Sequence, residues 1–131
     1  MRELERVQAA YAGMWAKLGY PEPLWPLAVA PLHDGSYHAE FAGGKYRWIA
    51  SERGAYLDLM ETAREEELLE WVALDLTRAL AHRDVYEGPG KPRPAEGAER
   101  RSHQRQVELV GALDPAWAAR KLAQLKKDGL L

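Results

Sequence analysis

The stretch YRWIASERGAYLDLM, residues 46–60, decides the fold. Tyr46, Trp48 and Ala50 alternate with Lys45, Arg47 and Ile49, a period of two that belongs to a strand with one face on a core. Arg53-Gly54 then supplies a tight turn, with glycine where a positive φ is needed, and Leu57 and Leu59 resume the alternation. Upstream, Gly43-Gly44 is a second turn of this kind. Folding the chain there sets Phe41 opposite Tyr46, Ala39 opposite Trp48 and Tyr37 opposite Ala50 on one face, and Glu40 opposite Arg47 on the other. Carried unbroken through Arg53-Gly54, the register sets Ala50 opposite Leu57, Trp48 opposite Leu59 and Ile49 opposite Asp58. Residues 36–60 therefore read as a three-stranded antiparallel meander with Trp48 inward and Arg47 outward. Leu27 to Ala30, bracketed by Pro26 and Pro31, is a candidate fourth strand at an edge.

Helical spacing surrounds this sheet. Leu4, Val7, Tyr11, Met14, Trp15 and Leu18 form one apolar stripe over residues 2–18, closed by Gly19 and by the prolines that follow. After the meander, Glu65, Glu66 and Glu67 place negative charge where a helix dipole is positive. The helix they open, about 63–84, holds Leu68, Leu69, Trp71, Val72, Leu76 and Leu80, and is expected to be long, buried and packed on the sheet. EGPGKPRPAEG, residues 87–97, reads as a loop. A helix over about 98–112 turns Val107 and Val110 inward; Asp114-Pro115 then supplies an N-cap and a first-turn proline for a last helix ending near Gly129. The class is α+β: an N-terminal helix, a three- to four-stranded antiparallel meander against a long buried helix, and two further C-terminal helices, in one domain over residues 1–131.

Composition narrows the chemistry. Eighteen basic and 20 acidic residues leave a net charge of -2, so no global field favours nucleic acid. The basic stretch KPRPAEGAERRSHQR lacks interleaved aromatics for base stacking, and nucleic acid is disfavoured as a partner. There is no cysteine, hence no disulfide, thiolate nucleophile or usual structural zinc site. The N-terminal residues carry charges where a signal peptide needs an apolar core, and no run of residues suits a membrane span, so a cytoplasmic location is expected. The histidines show no paired metal-ligand spacing, the serines no nucleophile elbow, and the proline in Gly88-Pro89-Gly90-Lys91 removes an amide that a phosphate cradle uses. No metal, cofactor or catalytic residue is expected.

A few residues carry two readings. Asp75 lies mid-helix among apolar neighbours, with Trp71 a turn before it and Arg78 after. It is either a structural ion pair with Arg78 or Arg53, or a buried base working with His82. Glu52-Arg53-Gly54 is either a wet bend or a rigid turn that shows a charged pair to a partner. Trp48 alternates as a core residue does, whereas Trp25 and Tyr20, set among prolines, are candidates for partial exposure at a contact surface.

One resemblance sharpens this. YRWIASERGAYLDLMETAREEELLEWVALDLT, residues 46–77, resembles the immunity protein 63 family through Ser51, Glu52, Arg53, Gly54, Leu68, Leu69, Trp71 and Asp75. LDPAWAARK, residues 113–121, is similar to a second segment of that family through Leu113, Asp114, Pro115 and Trp117. The resemblance implies a small cytoplasmic antidote of bacterial polymorphic toxin systems, whose partner is a cognate toxin domain blocked by occlusion without catalysis. Such a surface needs an aromatic or Arg anchor, and the turn Glu52 to Gly54 with the aromatics Trp25 and Tyr20 is where it is sought. An adaptor acting through homo-oligomerisation stays open, as does, less favoured, a small acid-base enzyme built on Asp75, Glu52 and His82.

Overall fold

Trp48 is 3% exposed, whereas the neighbouring Arg47 side chain keeps 41% of its surface in water. Trp48 is inward and Arg47 outward as the alternation requires, but Ile49, expected on the outer face, is fully buried, as are Ser51 and His38 on its side of the sheet. The computed structural model describes residues 2–87 and 97–131, in the order α1 (Arg2–Lys17), β1 (Asp34–Ala42), β2 (Lys45–Glu52), β3 (Ala55–Thr62), α2 (Glu65–Tyr86), α3 (Ala98–Leu113) and α4 (Pro115–Lys127). It is the expected α+β class. The loop expected over residues 87–97, including Gly88-Pro89-Gly90-Lys91, lies largely outside the described residues, as does the start of the basic stretch. Internal contacts group the chain into two compact units, Met1–Val72 and Ala73–Leu131; α2 begins in the first and continues in the second.

In the first unit the sheet has the order β1-β2-β3, and Phe41, Ala39 and Tyr37 stand opposite Tyr46, Trp48 and Ala50 as the alternation demands. Tyr37 stacks on Trp48 with ring centroids 5.0 Å apart, and Phe41 meets Tyr46 at 4.8 Å. Glu40 is aligned with Arg47, but its carboxylate bonds His38 Nε2 at 2.7 Å. The second hairpin departs from the expected register. Glu52 pairs with Ala55 and Ser51 with Tyr56, but Ala50 then pairs with Asp58, Ile49 with Leu59 and Trp48 with Met60. Leu57 is the extra residue of a β-bulge. The two registers differ in how charge is paired. An unbroken register would set Arg47 opposite Met60 and Glu61 opposite Tyr46. The bulge instead sets Arg47 opposite Glu61, and the pair forms at 2.9 Å.

Leu27 to Ala30 is not a strand. A single ladder-like bond remains, from Ala39 N–H to the Ala28 carbonyl at 2.9 Å, so the sheet has three strands among the described residues. Proline on both sides of the segment removes the donors a longer ladder needs. α1 turns Val7, Tyr11, Met14 and Trp15 inward. Trp15 is fully buried and receives Tyr11, Tyr20 and Trp25 edge-on, at centroid distances of 6.2, 5.1 and 4.8 Å. The opening turns of α2 bury Leu68 and Val72.

In the second unit the rest of α2 buries Ala73, Leu76, Thr77 and Leu80, while α3 and α4 bury Val110, Leu113, Trp117 and Leu125. Gln106, 4% exposed, donates to the Leu74 carbonyl at 2.9 Å and so satisfies its amide inside this core. Asp114 caps α4 as its sequence signals, its carboxylate accepting from the Ala116 and Trp117 amides at 2.8 and 3.2 Å ahead of Pro115.

Two glycines with equally open surroundings make opposite predictions. A Cβ on Gly54 or on Gly13 meets no atom within 4 Å, so only the backbone matters. Gly54 has φ 80°, and Gly54→Ala should cost about 1–2 kcal/mol. Gly13 lies inside α1, and Gly13→Ala should gain about 0.5–1 kcal/mol. Urea midpoints of the two variants, moving in opposite directions, check both.

Candidate interface on the third strand

The turn Glu52 to Gly54 is built and braced rather than loose. Arg53 and Gly54 have φ 51° and 80°, the pair of left-handed residues that matches a two-residue hairpin to the twist of its strands. Arg53 therefore holds a conformation that an L side chain resists. Its amide donates to the His33 carbonyl at 3.3 Å, and the Gly54 amide to His33 Nδ1 at 3.2 Å. His33 has φ 57° and buttresses the turn from the end of the connector. Asp34 follows it in a local turn, accepting from the Ser36 amide at 3.0 Å and from the Ser36 hydroxyl.

Beyond the turn runs β3, last in the sheet order and exposed at every residue from Ala55 to Leu59. Tyr56, Leu57 and Leu59 are 58, 60 and 45% exposed. The bulge takes Leu57 and Leu59 off the Trp48 face to which an unbroken register assigns them. Sequence reasoning thus missed the most exposed apolar residues of the sheet. The signal was present in Lys45, Arg47 and Glu61, whose charges pair across the strands only if β3 slips by one residue.

Charge is distributed unevenly. Residues 1–72 carry seven Lys and Arg against twelve Asp and Glu, a net of -5, and β3 itself holds Asp58 and Glu61 with no cation. Asp58 accepts from the Tyr37 hydroxyl at 2.7 Å and from the Leu59 amide at 3.0 Å. Glu61 takes Lys45 at 3.2 Å and Arg47 at 2.9 Å, and these hydrogen bonds, Lys45 first, hold its carboxyl below the ordinary 4.5. Because the folded value is lowered, the stability that Glu61 contributes is present above pH 4.5 and is lost as the pH falls through the folded value. The stability difference between the parent and Glu61→Gln should accordingly be seen in urea at pH 7 and shrink as the pH is taken down through the folded value below 4.5. Nearer the helix, Tyr46 donates to Glu65 at 2.8 Å, with Arg6 on the same carboxylate at 3.0 Å; burial, then the bond to Glu65, raises the Tyr46 phenol.

The other residues of interest fall elsewhere. Tyr20 and Trp25 are half-buried and pack on Trp15, so each ring has a structural contact besides its open edge. Asp75 bonds Arg78 at 2.7 Å and keeps 32% of its side chain exposed rather than enclosed. Leu68, Val72, Leu76 and Leu80 form the buried stripe of α2, Trp71 and Asp75 lie half-buried at its flank, and Arg78 is exposed. His82 is exposed and stacks on Tyr86 at 4.4 Å. Among the described residues no three His, Asp or Glu side chains are placed to hold a metal ion, and no helix is long and apolar enough to cross a membrane.

The sequence profile of immunity protein 63 matches residues 42–127, from the end of β1 to the end of α4. No curated protein and no solved structure matches the chain. The match takes in the braced turn, the exposed strand, the Leu68 to Asp75 segment and the capped Asp114-Pro115 step in one continuous span. By that match the chain belongs to the immunity protein 63 family.

Proposed function

We propose that the protein is a cytoplasmic antidote of a bacterial polymorphic toxin system, a single immunity domain over residues 1–131 that binds a cognate toxin domain and neutralises it by occlusion. It acts as a binding protein and catalyses nothing. The family match carries this reading. The outer surface of the sheet supports it: Tyr56, Leu57 and Leu59 supply exposed apolar area, and Glu52, Arg53 and Gly54 form a stiff charged rim beside it. Tyr20 and Trp25 offer a secondary aromatic contact.

The test is co-expression with the toxin domain encoded beside the gene. Growth should be restored, and the two chains should co-purify as a complex. A toxin that still kills and is not bound would overturn the reading. Self-association through the same exposed strand is the second reading, favoured by its open edge. A light-scattering mass of two chains without toxin would select it, and a monomer mass would reject it.

A further inference from the structure

The hydrogen-bond pattern of the sheet shows which backbone groups of β3 face outward. Ala39 sends its amide away from β2, to Ala28, so Ala39 and Trp48 are a non-hydrogen-bonded pair. Because ladder bonds alternate along a strand, Tyr46, Trp48 and Ala50 must turn their amides and carbonyls toward β3, where Thr62, Met60 and Asp58 meet them. That leaves Leu59 and Glu61 with N–H and C=O groups aimed off the sheet, and beyond the bulge Tyr56 does the same. The position of Asp58 agrees with this: its carboxylate reaches the Leu59 amide at 3.0 Å, which an amide engaged in the ladder would not allow.

We propose that the toxin is held by strand addition: an extended segment of it, bearing lysine or arginine, lies along β3 as a fourth strand of the sheet. This rests on the reading of the protein as an antidote. Edge strands are commonly shielded by lysine, proline, shortness or a bulge, and β3 has eight residues, neither Lys nor Pro, and a bulge only at Leu57, short of Leu59 and Glu61. Its shield is Asp58. A carbonyl arriving at Leu59 displaces that carboxylate, which stays tethered to the Tyr37 hydroxyl and becomes the acceptor for a cation of the incoming strand. Tyr56, Leu57 and Leu59 then cover the apolar side chains of the added segment. Charge selects a basic partner over a second copy of this chain. Two copies of the unit over residues 1–72 would each bring a net charge of -5, whereas a basic chain is attracted to it.

Hydrogen exchange on the full chain, alone and with the purified, inactivated toxin domain encoded beside the gene, tests this directly. The amides of Leu59 and Glu61 should exchange fast in the free protein and become protected in the complex. Leu59→Pro removes an outward amide and spares the ladder, so it should weaken binding at least about tenfold more than Leu59→Ala, which keeps that amide. Affinity should fall as salt rises. A toxin that binds while Leu59 and Glu61 stay unprotected, or that treats Leu59→Pro and Leu59→Ala alike, overturns strand addition and leaves the antidote reading standing. An affinity indifferent to salt overturns the basic segment. Protection of the same amides without toxin, in a dimer, gives the edge to a second copy. A toxin that is not bound at all ends both proposals. Should Leu59→Pro fail to fold, the exchange experiment on the parent chain decides by itself.

Discussion

Replacing Trp15 by alanine should remove about 3–5 kcal/mol of stability, the largest loss expected from a single substitution in the first unit. The indole is fully buried and is the hub on which Tyr11, Tyr20 and Trp25 converge edge-on. Truncation leaves a cavity of aromatic size and strips three ring contacts together, and the connector that carries Tyr20 and Trp25 loses what it packs against. The Tyr11 hydroxyl, which donates to the Trp25 carbonyl at 3.0 Å, loosens with it. A companion variant isolates the cause. Trp15 Nε1 is buried without an acceptor among the described residues, a desolvation cost of about 1–3 kcal/mol that Trp15→Phe relieves while keeping a ring in place. Trp15→Phe should therefore lose less than half of what Trp15→Ala loses. Urea unfolding of both, followed by near-ultraviolet circular dichroism, measures the difference. Equal losses would mean that ring packing is not what Trp15 contributes.

The second large effect concerns binding rather than folding. Leu57→Arg should weaken the complex with the toxin domain about 100-fold, or about 2.7 kcal/mol, with stability changed by no more than about 0.5 kcal/mol. Leu57 is 60% exposed and is the bulge residue of β3, so arginine there displaces no core atom. It replaces apolar contact area with a charge, and that charge repels a basic partner. Leu130→Arg, an equally large change of character at an exposed leucine of the second unit, serves as the control and should bind as the parent does. Calorimetric titration, paired with a urea midpoint for each variant, separates the two quantities. An unchanged affinity for Leu57→Arg would move the contact surface off β3.

The contrast between Leu57 and Trp48 shows how far the residues alone carry the argument. Gly43-Gly44 and Arg53-Gly54 announce both hairpins, and the alternation through Tyr46, Trp48 and Ala50 fixes the inward face of β2, because a strand has a period of two and a slip would bury Arg47. Asp114-Pro115 likewise announces the start of α4, since an N-cap carboxylate and a first-turn proline are local requirements. These features depend on neighbours in the chain, and they are legible without coordinates. So are the family segments around Ser51 to Gly54 and Leu113 to Trp117, which the profile match over residues 42–127 embraces.

What the tertiary structure decided turns on competition between distant groups. Apolar alternation in Leu57 and Leu59 argued for a straight β3; the bulge instead pairs Glu61 with Lys45 and Arg47 and leaves the leucines exposed. Asp75 looked enclosed among its sequence neighbours, but it is half-buried at the flank of α2, where its carboxylate reaches the exposed Arg78. His33 gave no local sign that its ring and carbonyl would brace a turn twenty residues on. Residue types and their periods determined the elements, the inward face of the central strand and the family of this chain. Register, exposure and the edge position of β3 among the described strands were settled in space, because each is a balance between contacts that several parts of the chain must make at once.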